Sequence, residues 1–136
     1  VVLGTDSAVS AGSLDIWEEL RFAALAQRAA SYAASPSWRD WVRALTLDGA
    51  KVFGVDAHIG SLEVGKRADV IALRTHRLAY TSAPDPYAAL ALVARSEDVA
   101  LTMVDGRILY QDGRFTGLDV PALRQEIARW VEAVAS

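Results

Sequence analysis

The chain has 136 residues, 52% of them hydrophobic and 23% charged, with a formal net charge of −3. That length suits one domain, and the balance excludes a disordered chain, a polybasic membrane anchor and a nucleic-acid-binding patch. With no cysteine there is no disulfide framework, thiolate metal site or cysteine nucleophile, which fits a cytoplasmic protein. No apolar run reaches the roughly 20 residues of a membrane helix, and no signal peptide is visible. The first residue is Val rather than Met, which points to a native amino terminus upstream.

Val1 to Leu3 read as the end of a buried strand, because a short continuous apolar run suits a strand covered on both faces. Gly4 lets the backbone turn, and Asp6 then stands at the carboxyl end of that strand, the edge where α/β folds collect ligands and catalytic groups. Asp15 is placed to cap a helix over about 16–34, with Glu18 as its reciprocal partner. Ile16, Leu20, Ala23 and Ala30 form its stripe, widened by Trp17 and Ala24, and Ser35-Pro36 ends it. Ser37 opens a second helix with Asp40 as a capping box, and Trp38, Trp41, Val42 and Leu45 share a face whose two Trp residues read as packing. A break near Thr46 to Asp48 leads to a short helix that Gly54 stops.

Gly60 and Gly65 then punctuate a tight turn, and Val70 to Leu73 read as a buried strand. Residues 75–85 are loop, and Pro86 begins a helix through Arg95. Strands follow at Val99–Val104 and Arg107–Tyr110. Between them Asp105-Gly106 is the residue pair a type I′ turn requires. Asp112-Gly113 makes a second turn. Asp119 caps a final helix striped by Leu123, Ile127, Trp130, Val131 and Val134. Three strands are few for an independent sheet, so a partner chain or a further segment of this one is expected to pair with them.

Asp6 is the main candidate for chemistry. An acid at a strand tip beside a glycine suits a metal ligand or a general base, and the competing reading is a cap on the next turn. His58 and His76 lie in no ligand pattern and read as structural. Glu18 and Glu19 share a helix with Arg21, where solvated ion pairs are the default. Lys66-Arg67 beside Asp69 reads as a charge-balanced turn. Gly60-x-x-x-x-Gly65-Lys66 has the outline of a phosphate loop. Arg67 stands where Ser or Thr belongs, however, and a strand follows instead of a helix, so that reading is rejected. Ser7 and Ser10 have no adjacent His to activate them, and no dinucleotide fingerprint occurs.

Several stretches together resemble the amidohydrolase superfamily, in its deaminase and chlorohydrolase branch. Leu3-Gly4-Thr5-Asp6-Ser7, with Leu14-Asp15-Ile16, Glu19-Leu20-Arg21 and Ala24, resembles the last barrel strand and helix. Ala44-Leu45-Thr46-Leu47-Asp48-Gly49-Ala50-Lys51 is similar to the family's A-T-x-N-G-A segment, with Leu45 and Asp48 as departures. Ile59-Gly60-Ser61-Leu62-Glu63-Val64-Gly65-Lys66-Arg67-Ala68-Asp69 matches its tail motif almost unchanged, and Val104-Asp105-Gly106-Arg107 with Asp112-Gly113-Arg114 resembles the closing hairpin of its small β domain.

The resemblance implies an α/β chain comprising the last βα unit of a (β/α)8 metal-dependent hydrolase barrel, the carboxy-terminal part of a small β-sandwich domain and a terminal helix. The corresponding divisions are residues 1–54, 55–118 and 119–136. It implies hydrolysis of a non-peptide carbon–nitrogen bond in a small molecule, an aminated ring compound above all, by water on a zinc or iron ion. Only Asp6 carries over, as a metal-facing aspartate that moves a proton from the attacking water to the leaving amine. The family's histidine ligands belong to earlier strands of a barrel of roughly 250 residues. The isolated chain is therefore expected to be inactive and to bind no metal tightly. Its expected partner is the missing amino-terminal barrel segment, or a partner chain, including a second copy of itself. The alternative is a non-catalytic β-domain scaffold or oligomerisation module. No nucleic-acid or membrane partner is expected.

Overall fold

The computed structural model describes residues 2–31, 35–83 and 85–135. Leu3 to Ser7 run without regular structure into a single turn, α1 (Ala8–Ala11), which ends at Gly12 with φ 76°. The expected strand over Val1–Leu3 is not present: residue 1 lies outside the described residues, and Val2 and Leu3 pair with no other segment. An extended segment becomes a strand only when a neighbour takes its backbone groups, and none of the described residues pairs with this one.

Asp15 caps α2 (Ile16–Ala30), its Oδ1 accepting the Trp17 N–H at 2.8 Å. Glu18 is not the reciprocal partner. It accepts from the Ser13 hydroxyl at 2.6 Å, and that hydroxyl in turn accepts the Asp15 N–H at 3.2 Å. The helix stops at Ala30, short of the expected 34, because Ser31 is extended; residues 32–34 lie outside the described residues. Ser37 opens α3 (Trp38–Leu45) with the expected reciprocal box. Ser37 Oγ accepts the Asp40 N–H at 3.2 Å, and Asp40 Oδ2 accepts the Ser37 N–H at 3.1 Å. The break at Thr46 separates α3 from α4 (Leu47–Val52), and Gly54 follows with φ 69°.

The sheet is a four-stranded antiparallel array in the order β1 (Val70–Leu73), β2 (Val99–Val104), β3 (Arg107–Gln111), β4 (Arg114–Phe115). The two-residue β4 extends the three expected strands, and Tyr110 and Phe115 pack across that edge with ring centroids 4.9 Å apart. Asp105 and Gly106 have φ 49° and 77°, the turn the pair requires, and Asp112 and Gly113 repeat it at 49° and 87°. Between β1 and β2, α5 (Pro86–Ala88) passes directly into a π turn over Ala89–Val93. It ends two residues short of the expected Arg95, because Ala94 is extended. Asp119 caps α6 (Val120–Ala135), its Oδ1 accepting the Ala122 N–H at 3.0 Å.

One core cluster holds the chain together. Trp17, Leu20 and Ala24 of α2 meet Trp41 of α3 and Ala91 and Ala94 at the π turn, with Leu3, Trp38 and Leu73 packed on the outside. Trp41 is 7% exposed and Trp38 half-buried, so both serve packing, as their spacing suggested. Leu20 is the one large side chain buried completely among the described residues. β1, expected to be buried, leaves Ile71 half exposed, and α6 buries none of its stripe. The accessible surface is 9747 Å² for a mass of 14.6 kDa. A closed monomer of that mass exposes about 6,900 Å². Large apolar side chains on this surface include Ile71, Trp130 and Val134.

Candidate active site

Leu3 rests against the core cluster and fixes the segment that follows. Three residues on, Asp6 adopts φ 53°, a left-handed conformation that Asp tolerates better than most residues. Its carboxylate is exposed and makes no hydrogen bond or ion pair among the described residues. The cap on the next turn is Ser7, whose Oγ accepts the Ser10 N–H at 3.3 Å. Asp6 is therefore not consumed by local structure, and the competing reading of it as a cap does not describe this turn. A free carboxylate on a strained turn is able to accept a proton or ligate a cation.

The other polar candidates are occupied elsewhere or stand apart. Ser7 and Ser10 lie 3.1 Å apart as two hydroxyls within the α1 cap. His58 and His76 are both exposed, and no group of three or more His, Asp or Glu side chains among the described residues is arranged to hold a metal ion. A catalytic metal site takes about three protein ligands. Asp6 supplies one carboxylate, so the described residues do not form such a site by themselves.

The tail motif turns out to be an architectural device. Lys66 Nζ donates to Ser61 Oγ at 2.6 Å and to the Ile59 carbonyl at 3.5 Å, and pairs with Glu63 at 3.5 Å. The Ser61 hydroxyl donates to Glu63 Oε1 at 2.5 Å, and that bond first, then the Lys66 ammonium, holds the Glu63 carboxyl below its usual range. Asp69 does not balance Lys66-Arg67. Its Oδ1 accepts the Asp105 N–H at 2.7 Å, while Gly106 N–H donates to the Ala68 carbonyl at 3.1 Å. The motif is thereby stitched to the β2–β3 turn.

Sequence reasoning missed the best-buried acid. Asp98 is 4% exposed and accepts four hydrogen bonds. Arg77 Nε and Nη2 donate to its two oxygens at 2.6 and 2.5 Å, Tyr80 OH donates at 2.7 Å, and the Arg95 N–H donates at 3.0 Å. The paired guanidinium, outweighing burial, holds the Asp98 carboxyl down at about 2, with Tyr80 and the Arg95 amide adding to it. Burial and the same carboxylate push the Tyr80 hydroxyl up. Arg21 was missed as well. It makes no pair with Glu18 or Glu19 among the described contacts, and instead donates to the carbonyls of Leu92 at 3.3 Å and Ala94 at 2.8 Å. No local spacing marks either partnership.

The backbone as a whole matches solved hydrolytic enzymes. An adenosine deaminase from Xanthomonas campestris with bound zinc superposes with TM-score 0.92 over 98% of this chain and 31% of that one, at 27% identity. The atrazine chlorohydrolase of Arthrobacter aurescens, complexed with zinc, superposes with TM-score 0.80 over 90% of this chain and 28% of that one, at 25% identity. Those likenesses define the class. Residues 1–109 match the sequence model of the Amidohydrolase family. The chain belongs to that family, in its deaminase and chlorohydrolase branch. A 5-methylthioadenosine/S-adenosylhomocysteine deaminase from Symbiobacterium thermophilum is 40% identical over 114 residues, covering 82% of this chain and 26% of the relative. A 5′-deoxyadenosine deaminase from Methanobrevibacter smithii is 34% identical over 136 residues, covering 97% and 31%. The chain thus spans under a third of the length of the curated relatives it matches.

Proposed function

We propose that this chain is the carboxy-terminal portion of a cytoplasmic, metal-dependent deaminase acting on the exocyclic amine of a purine nucleoside. Residues 1–54 contribute the last unit of its catalytic barrel. Residues 55–118 contribute part of a small β domain, and 119–136 a terminal helix. The observation that carries this reading is Asp6: a solvent-facing carboxylate at positive φ, free of local partners, in a chain whose relatives are named as adenosine-type deaminases. In the reaction, Asp6 accepts a proton from the attacking water and returns it to the departing amine, which leaves as ammonia; one carboxylate serves as base and then as acid.

Asp6 also offers one oxygen ligand to a divalent metal, zinc or iron, whose remaining ligands stand outside the described residues. Zinc has support from the two structural relatives that hold it. The excess surface supports a large covering partner, supplied by the remainder of the enzyme. The test is complementation. The purified chain alone is expected to release no ammonia from an adenosine analogue and to hold less than one equivalent of metal. Added to the remaining portion of a curated relative, it is expected to restore both. Turnover by the chain alone, or none in the complemented protein, would sink the proposal; the second outcome would favour a non-catalytic scaffold derived from this family.

A further inference from the structure

The π turn over Ala89–Val93 ends on three successive carbonyls that cannot be satisfied within it. Each is met by a guanidinium. Arg21 Nε and Nη2 donate to the Leu92 and Ala94 carbonyls at 3.3 and 2.8 Å, and Arg77 Nη2 donates to the Val93 carbonyl between them at 2.8 Å. The two arginines come from opposite parts of the molecule. Arg21 is on α2, 71 residues before Leu92, while Arg77 lies just beyond β1. Arg77 is fixed in turn by Asp98, the residue before β2, and by no other acid among the described ion pairs. β1 reaches the same network, since Arg74 N–H donates to the Asp98 carbonyl at 2.8 Å.

We infer that Arg21 and Arg77 form a two-sided latch on carbonyls 92–94, and that this latch makes the helical unit (α2, α3) and the sheet open together as one cooperative unit. Apolar packing under the latch is thin. Ala91 and Ala94 are the fully buried side chains that this segment offers to Trp17, Leu20 and Trp41, and alanines bury little area; Leu90 and Leu73 pack against the cluster only partly buried. Fixed, charge-assisted hydrogen bonds therefore bear a large share of the coupling. An arginine reaches the two carbonyls through two nitrogens of one rigid planar group, whereas a lysine presents a single nitrogen.

Native-state hydrogen exchange on this chain separates a latch from a general stabiliser. In the wild type, the amides of Leu20 and Ala24 on α2 and of Leu101 and Met103 on β2 are expected to share one slowest opening rate. In Arg21→Ala, the α2 amides are expected to exchange about tenfold faster than the β2 amides, the equivalent of one or two lost hydrogen bonds. Equal acceleration of both sets, or no change in either, overturns the latch. Should Arg21→Ala fail to fold, Arg21→Lys decides. It retains one carbonyl contact and is expected to separate the two sets by a smaller factor, and equal rates in that variant overturn the proposal.

Discussion

A Cβ added to Gly60 would lie 2.8 Å from the Cβ of Ala50 and 3.0 Å from the Cα of Leu47. The tail motif therefore lies directly on α4, the short helix of the A-L-T-L-D-G-A segment, and two stretches that resemble the family in sequence are one contact in space. Gly60 has φ 90°, so a side chain there meets both backbone strain and a wall. Gly60→Ala is expected to destabilise the chain by about 2–4 kcal/mol, combining left-handed strain with overpacking. Gly65 is its control. It has φ 94° with open space around it, and Gly65→Ala is expected to lose only about 1 kcal/mol. Urea midpoints at unchanged slope measure both.

Asp98 makes stability depend on acid. Its carboxyl titrates at about 2 in the folded chain, against an ordinary value of 3.8. The unfolded chain therefore takes up the proton first as pH falls, and protonation favours unfolding. The contribution of Asp98 is complete above the ordinary value and is lost as pH drops from about 4 towards 2. Asp98→Asn, which leaves Arg77 without its buried anion, is expected to lose about 3 kcal/mol near neutral pH. It is also expected to flatten the part of the stability profile between the two pKa values. Thermal midpoints at a series of pH values give the comparison.

α6 is folded without being covered. Trp130 is 66% exposed and Val134 84%. Trp130→Glu is expected to change the stability of this chain by no more than about 0.5 kcal/mol, while lowering its tendency to associate. In the complemented enzyme the same substitution is expected to weaken assembly. Sedimentation of the chain alone, and titration of the complementing portion, read the two effects separately.

Much of the fold was legible because its signals are local. The Asp105-Gly106 turn, the Ser37–Asp40 box and the Asp119 cap each involve residues within three positions of one another, and each formed as expected. Local rules failed where a residue had a choice. Glu18 accepts from the Ser13 hydroxyl in place of the backbone N–H of Asp15, and Ser31 ended α2 before the proline stop. They gave no hint of Arg77–Asp98, 21 residues apart, or of Arg21 on Ala94, 73 apart, because nothing in either neighbourhood names its partner. Of the candidate site, the strand-tip position singled out Asp6. Its freedom from the α1 cap became visible only with Ser7 in place. No set of metal ligands was legible, and among the described residues none is grouped to hold a metal ion.

The role proposed for Asp6 is to move the proton in a deamination. The direct measurement is ammonia release from an adenosine analogue by the complemented protein carrying Asp6→Asn, with assembly verified by sedimentation. Loss of a proton-carrying carboxylate is expected to lower kcat by about 10²–10⁴-fold, while the assembled mass stays unchanged. An assembled Asp6→Asn protein that turns over at the rate of its parent would rule out that role for Asp6.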